Sequence, residues 1–187
     1  MKADMRTALT KRLFREGLLS LIEKKPFSRI SVTDLCRASG VNRATFYNHY
    51  ESVPMVLREI VWEYAEKIEQ IYRAEIQAGH TAEKACESCL TYLHENRSEI
   101  CILFSKNTES YISGFGMEVV NDFIRRNRHE LKKKIRGSDD EIYLCLMTTA
   151  GAAYSLIVTW LVSDMKQTPK EITALLRRLF SITSLYA

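Results

Sequence analysis

Five polar side chains stand close together on one short stretch of the chain, and their types suit hydrogen bonding to nucleic acid. They are Arg43, Thr45, Tyr47, Asn48 and His49. An arginine fork matches guanine O6 and N7, and a threonine can touch a thymine methyl group. Tyrosine, asparagine and histidine can hydrogen-bond phosphates or bases. The stretch therefore predicts contact with a double helix.

These side chains need a short helix that is firmly held, and the flanking residues predict one. Ser31 and Asp34 form a capping-box pattern for a helix over 32–39, which the following glycine can end with a positive φ. Asn42 then caps a second helix that runs to position 49 or 50. Two short helices four residues apart are typical of a helix-turn-helix. The apolar residues expected to lock them together are Val32, Leu35, Cys36, Val41, Ala44 and Phe46.

The basic charge of the chain is concentrated at the same end. Residues 1–50 carry ten Lys and Arg against four Asp and Glu, whereas the remainder carries seventeen against nineteen. A basic segment on a nearly neutral body favours a polyanionic partner. A solvated basic face would have the same composition, so charge leaves both interpretations open.

The chain as a whole reads as an all-α protein of about nine helices. Only three Pro and seven Gly occur in 187 residues, so few positions forbid a helix. We expect a helix-turn-helix domain over 1–51 and a larger helical domain over 52–187. The remaining helices are predicted over 4–23, 52–77, 81–97, 98–105, 115–134, after a turn at 136–139, and from 169 onward. Residues 107–114 are expected to be irregular.

The stretch from Ile30 to Tyr50, ISVTDLCRASGVNRATFYNHY, resembles the N-terminal domain of the TetR family. That family's pattern includes Ala-Gly-Val followed by Thr-aromatic-Tyr-x-His. The resemblance implies that Arg43 and its neighbours read bases while Tyr47 and His49 grip the backbone. The family's usual lysine at the start of the fourth helix is replaced here by Val53, which removes one phosphate contact. The residues assigned to DNA are Ser31, Thr33, Arg37, Asn42, Arg43, Ala44, Thr45, Tyr47, Asn48 and His49.

The same resemblance implies a homodimer that binds a palindromic operator and responds to a small molecule. Beyond residue 60 it is much weaker and only loosely like the regulators of dihydroxyacetone kinase operons. The expected dimer interface is Ala150, Ala153, Ile157, Trp160, Leu161, Leu175 and Leu179. The expected effector pocket is lined by Trp62, Tyr92, Phe104, Tyr111, Phe115 and Tyr154. A helical core would contain the same aromatic residues.

Two other patterns leave alternatives open. Positions 142–163 hold no formal charge and are long enough to span a membrane, but small and hydroxylated residues suit a buried helix equally well. Cys86 and Cys89 share a helix face and could bind a metal or sense redox state, although two cysteines are usually core residues. We therefore expect no metal, no cofactor and no membrane.

The function predicted from these patterns is a cytoplasmic, DNA-binding repressor rather than an enzyme. The sequence contains no glycine-rich phosphate-binding loop and no recognised catalytic motif. One alternative is a TetR-fold adaptor or activator controlled by a protein partner. Another is an enzyme or lipid carrier that uses the helical domain.

Overall fold

The computed structural model describes residues 2–132 and 137–184, and every regular element in these ranges is helical. This confirms the predicted all-α class. A short 3-10 helix, Phe27–Arg29, follows the first α-helix. The α-helices are α1 Lys2–Ile22, α2 Val32–Ser39, α3 Arg43–His49, α4 Val53–Gln77, α5 Ala82–Glu95, α6 Arg97–Leu103, α7 Glu109–Lys132, α8 Asp139–Val162 and α9 Pro169–Ser184.

Local capping chemistry sets where the last two helices begin. Ser138 Oγ accepts a hydrogen bond from the Glu141 amide at 3.4 Å, and the Glu141 carboxylate accepts from the Ser138 amide at 2.7 Å. Thr168 and Glu171 form the same reciprocal pair, at 3.3 and 2.7 Å. Both pairs satisfy amides that the first turn of a helix leaves without partners. The predicted start of α9 is thereby confirmed.

The prediction of an irregular segment over 107–114 is wrong, because α7 begins at Glu109. Thr108 is fully buried, and its hydroxyl donates to the Ser105 carbonyl at 2.9 Å. Its own carbonyl accepts the amides of Tyr111 and Ile112, at 2.9 and 3.0 Å, and so starts the helix. The hydrogen bonds made by the buried Thr108 start the helix despite the weak helix propensity of Gly114.

The chain divides into two compact units. The first holds the residues up to Tyr64 together with Ser98–Ile112, and the second holds Ala65–Arg97 with the residues from Ser113 onward. The first unit therefore contains more than the predicted segment 1–51.

The core of the first unit is built around α1. Its apolar side chains with no exposed surface come from four helices: Phe14, Leu18, Ile22, Leu35, Phe46 and Leu57. In α1 they recur every four residues, so one stripe of that helix is apolar. In the second unit, α9 packs against α5 and α8. There the rings of His94 and Trp160 stack with centroids 6.4 Å apart.

One helix, Asp139–Val162, is long and apolar enough by composition to cross a membrane, with a mean hydropathy of 1.6. Only 11% of its apolar window is buried within the chain. Core helices of soluble proteins also pass such a test, so a single helix is weak evidence for a membrane span.

A glycine allows α1 and α2 to pack closely, and replacing it should destabilise the first unit. A Cβ at Gly17 would lie 3.0 Å from the Ser39 amide nitrogen and 3.2 Å from its Cα. Backbone cannot rotate away, so we expect Gly17→Ala to lower the free energy of unfolding by about 1 kcal/mol, helix propensity offsetting part of the clash. Chemical denaturation measures this change.

The matched control is Gly114→Ala, which lies inside α7 with nothing within 4 Å of the new Cβ. That substitution should stabilise the protein by up to about 1 kcal/mol, because alanine favours a helix more than glycine does. Equal effects of the two substitutions would contradict the close packing of α1 on α2.

Candidate nucleic-acid interface

The two short helices begin where their predicted caps lie. Ser31 Oγ accepts from the Asp34 amide at 3.1 Å, and Asp34 accepts from the Ser31 amide at 2.9 Å. Gly40, with φ of 68°, ends α2 in the left-handed region. Asn42 Oδ1 accepts from the Thr45 amide at 2.8 Å and starts α3. The predicted bounds of α2 and α3 are confirmed.

Most of the predicted DNA-contacting residues, which lie on α2, on α3 and at their caps, are exposed. Phe46 is completely buried, whereas its neighbour Tyr47 is 53% exposed. Thr45 and His49 are half-buried. The remaining members of the set are exposed, namely Ser31, Thr33, Arg37, Asn42, Arg43, Ala44, Tyr47 and Asn48. The helix therefore turns an apolar side inward and a polar side to solvent.

One prediction within this region needs correction. Ala44 was expected to lock the helices together, but it is exposed because it shares the outer face with Tyr47 and Asn48. Val53, at the position of the family's phosphate-binding lysine, is 5% exposed and belongs to the core. That position therefore has no open surface from which a side chain could reach a phosphate in this chain.

Arg43 and Tyr47 form a pair one helical turn apart on the open face of α3. Arg43 Nη2 lies 3.4 Å from the Tyr47 hydroxyl, and the guanidinium carbon lies 5.9 Å from the ring centroid. The hydrogen bond to Tyr47 raises the pKa of Arg43 above its ordinary value. The pair thus presents a planar cation held beside an aromatic ring, a geometry suited to guanine or to phosphate.

On its buried side, α3 is held by residues that the sequence patterns did not single out. The Phe14 ring meets those of Phe46 and Tyr50 edge-on, with centroids 5.4 and 5.8 Å away. Tyr50 hydrogen-bonds Glu59, whose carboxylate also accepts from Lys11 Nζ at 2.7 Å. Burial, and then the nearby Glu59 charge, raise the pKa of Tyr50 well above its usual range. Only a tertiary structure brings these side chains together.

The cap of α2 should make stability depend on pH in the acid range. Hydrogen bonds from Lys25, at 2.8 Å, and from Ser31 hold the pKa of Asp34 well below its usual range. Because the folded pKa lies below the unfolded one, Asp34 stabilises the fold fully above about pH 4, the usual carboxyl range. This contribution is lost as the pH falls from there toward the folded pKa.

Melting temperatures of the parent and Asp34→Asn should therefore differ at about pH 6 and converge as the solution is acidified below about pH 4. In a Lys25→Met background the difference at about pH 6 should be smaller and the convergence should be complete at a higher pH, since Lys25 is the largest cause of the lowered folded pKa. A difference that stays constant across this range would contradict the assignment.

The six aromatic residues predicted to line an effector pocket divide between the two units. Trp62, Phe104 and Tyr111 belong to the first, and Tyr92, Phe115 and Tyr154 belong to the second. All six are half-buried. The first unit also holds a cavity of about 320 Å³, which none of the six lines. Its lining residues are Ala8, Lys11, Arg12, Arg15, Tyr50, Val56, Glu59, Ile60 and Glu63.

Within the first unit, Trp62 has an unusual environment. Its Nε1 is buried and has no hydrogen-bond partner among the residues that the structure describes, and the same is true of Ser105 Oγ. The Arg58 guanidinium carbon lies 5.5 Å from the centroid of the Trp62 ring. A buried donor without an acceptor costs about 1–3 kcal/mol. The indole is therefore a position where a polar ligand atom would be stabilising.

The predicted dimer interface is partly corrected. Trp160 and Leu161 are 2% and 3% exposed, and Trp160 Nε1 donates to the Gln167 carbonyl at 2.9 Å. These two residues are core residues and leave no surface for a partner. Ala150, Ala153, Ile157 and Leu179 are half-buried, and Leu175 is 41% exposed.

The cysteine pair on α5 has the environment of core side chains. Cys89 is buried, and its thiol donates to the Ile68 carbonyl at 3.4 Å. Burial raises the pKa of Cys86 and raises that of Cys89 to about 12, so neither forms a thiolate readily. In the part of the chain that is described, no three His, Cys, Asp or Glu residues are grouped to hold a metal.

Comparisons with solved structures show which known fold this is. A TetR-family transcriptional regulator from Syntrophomonas wolfei is 16% identical, with a TM-score of 0.65, and the match covers 94% of this chain and 95% of that one. A TetR regulator from Streptococcus agalactiae is 21% identical, with a TM-score of 0.59 and 98% of both chains covered. The dihydroxyacetone kinase operon activator is 16% identical, with a TM-score of 0.51, covering 94% and 97%.

Sequence comparison adds the family. No curated protein sequence matches this chain. Residues 80–181, however, match a TetR family model whose description is 'Transcriptional regulator C-terminal region'. The N-terminal motif and the C-terminal match thus point the same way from different parts of the sequence. Since the match spans more than half of its length, the chain belongs to the TetR family of transcriptional regulators.

Proposed function

We propose that this protein is a homodimeric repressor that binds a palindromic operator through α2 and α3 and releases it when an effector binds. The observation that carries the DNA-binding part is the orientation of α3. Its apolar Phe46 is sealed in the core, while Arg43, Tyr47 and Asn48 face solvent. A short helix that presents such side chains can lie in the major groove.

The amides at the start of each short helix add to this surface. Asn42 and Ser31 are exposed and leave the first turns of α3 and α2 accessible. Helix N-termini attract phosphate oxygens through their free amides and the helix dipole. Arg37, exposed in the last turn of α2, is a further candidate for a phosphate contact. We therefore assign base contacts to Arg43 and its neighbours, and backbone contacts to the rest of the set.

Dimerisation is proposed from the surface of α8 and α9. The large apolar side chains exposed on these helices are Tyr143, Leu144, Val162 and Leu175. A mean hydropathy of 1.6 on a helix that the chain itself buries so little favours a protein partner surface. Ala150, Ala153, Ile157, Leu175 and Leu179 remain our candidates for it. A two-fold pair would present two recognition helices about one turn of DNA apart, or a multiple of it.

The proposed effector site includes Trp62, whose buried indole N–H lacks an acceptor. An effector with a hydrogen-bond acceptor on an apolar body would satisfy it. For release of DNA, the ligand must bind one dimer conformation more tightly than the other, since equal binding shifts no equilibrium. We place this activity in the cytoplasm, with the chromosomal DNA.

The decisive experiment is selection of bound duplexes from a random library, followed by release with cell extract. We expect enrichment of a palindromic sequence, and sedimentation of the complex with two chains per duplex. Release by a dialysed, protein-free fraction indicates a small molecule. Release only by the macromolecular fraction indicates an adaptor controlled by a protein partner. Failure to enrich any sequence at modest salt would overturn the proposal.

A further inference from the structure

The first compact unit contains a segment that is remote in sequence from the helix-turn-helix. Ser98–Ile112 belongs to this unit, while the residues directly before and after it belong to the other one. Two side chains of this segment, Glu99 and Asn107, contact α1 or the backbone that follows it. α1 also contacts α3, through the rings of Phe14 and Phe46.

The first contact is ionic. Arg15 Nε donates to Glu99 Oε1 at 2.8 Å, and a second guanidinium nitrogen contacts the same oxygen. Arg15 also pairs with Glu63 and lies 5.4 Å from the centroid of the Tyr64 ring. The side chains of Arg15 and Glu99 are only 25% and 27% exposed, so the pair is partly shielded from solvent. Such pairs hold geometry better than exposed ones do.

The second contact consists of two hydrogen bonds made by Asn107. Asn107 Nδ2 donates to the Ile22 carbonyl at 2.7 Å, at the last residue of α1. The Asn107 carbonyl accepts from the Phe27 amide at 2.8 Å, in the 3-10 helix that follows. The Phe27 and Tyr111 rings meet with centroids 4.6 Å apart. The end of α1 is thus bound by a residue 85 positions away.

α1 passes this restraint to the recognition helix through direct packing. Phe14 meets Phe46 of α3 edge-on, and it lies one residue before Arg15. Lys11, one turn earlier, is joined to Tyr50 through the shared Glu59 carboxylate. A change in the orientation of α1 is therefore expected to alter the position of α3.

We propose that Glu99 and Asn107 are positioning residues for DNA recognition: from outside the helix-turn-helix they hold α1, and through it α3, in the orientation that fits the operator. This inference rests on the proposed DNA-binding function. It goes beyond that function by assigning operator specificity to side chains that touch no DNA. Such remote residues commonly change binding several-fold.

The test compares Glu99→Gln with Glu16→Gln in the full-length protein. Glu16 lies on α1, is 61% exposed and pairs only loosely with Arg12, at 3.4 Å. Both substitutions raise the net charge by the same amount, so they change general attraction to DNA alike. The readout is the ratio of the dissociation constants for a non-specific duplex and for the selected operator, at a temperature well below melting.

We expect Glu99→Gln to lower this ratio by roughly 3- to 30-fold, and Glu16→Gln to leave it unchanged. In an Arg15→Met background, Glu99→Gln should have no further effect, because Glu99 acts through Arg15. Asn107→Leu should lower the ratio independently of Arg15. A role in stability alone would lower the melting temperature without changing the ratio.

An unchanged ratio in folded Glu99→Gln and Asn107→Leu would overturn the inference, as would equal losses in Glu99→Gln and Glu16→Gln. If instead the parent protein shows no preference for any duplex, the proposed function itself fails and the inference fails with it. The behaviour of the parent protein therefore separates the two failures.

Discussion

Phe46→Ala should lower the free energy of unfolding by about 3–5 kcal/mol, the usual cost of removing a fully buried aromatic side chain. Phe46 has no exposed surface, and its ring contacts those of Phe14 and Tyr50 at 5.4 and 5.9 Å between centroids. Neither of these rings can fill the space without moving α1 or the end of α3. Guanidinium denaturation followed by circular dichroism measures the loss.

The neighbouring aromatic residue is the matched control for this prediction. Tyr47 is 53% exposed, and its ring meets the Phe46 ring edge-on with centroids 5.4 Å apart. Tyr47→Ala should lower the free energy of unfolding by only about 1 kcal/mol, because one ring contact is lost and half of the side chain is already in solvent. It should nevertheless weaken binding of the operator. Comparable destabilisation by both substitutions would mean that α3 does not present the faces described.

Arg43→Ala should weaken operator binding by about 1–3 kcal/mol, which corresponds to roughly 5- to 150-fold in the dissociation constant. Arg43 is exposed in the first turn of α3, and its guanidinium is held beside the Tyr47 ring. A bidentate contact to guanine would be lost completely in alanine. The loss should therefore concentrate at one base pair of each half-site.

Arg37 provides the comparison, because its expected contact is with phosphate. Arg37→Ala should weaken binding to all duplexes by a similar factor and reduce the salt dependence by about one unit of slope. Binding titrations of each variant against single-base operator variants distinguish the two roles. If Arg43→Ala weakens every duplex equally, its assignment as a base-reading residue is wrong.

The relation between sequence and structure differs from one region to another. The bounds of α2 and α3 could be predicted because the signals are local. Ser31 with Asp34, Gly40 and Asn42 each act on backbone groups within four residues of themselves. The same holds for Thr168 and Glu171 at the start of α9. Each cap forms its hydrogen bonds with residues next to it in sequence and requires no distant partner.

Predictions that depended on distant partners were less successful. The start of α7 was placed too late, because burial of Thr108 cannot be read from its neighbours. Ala44 was assigned to helix packing but is exposed, and Trp160 was assigned to the dimer interface but is buried within the chain. Helical spacing shows which residues share a face, but it does not show what that face contacts.

The sequence by itself therefore determined the helical class, the caps, and the polar side of a short helix suited to DNA. Only the tertiary structure decided that Arg15 meets Glu99 and that Asn107 binds the end of α1. Those contacts join residues about 85 positions apart, and no periodicity encodes them. They exist because folding buries the apolar stripe of α1, which brings the polar residues at its margins to their partners.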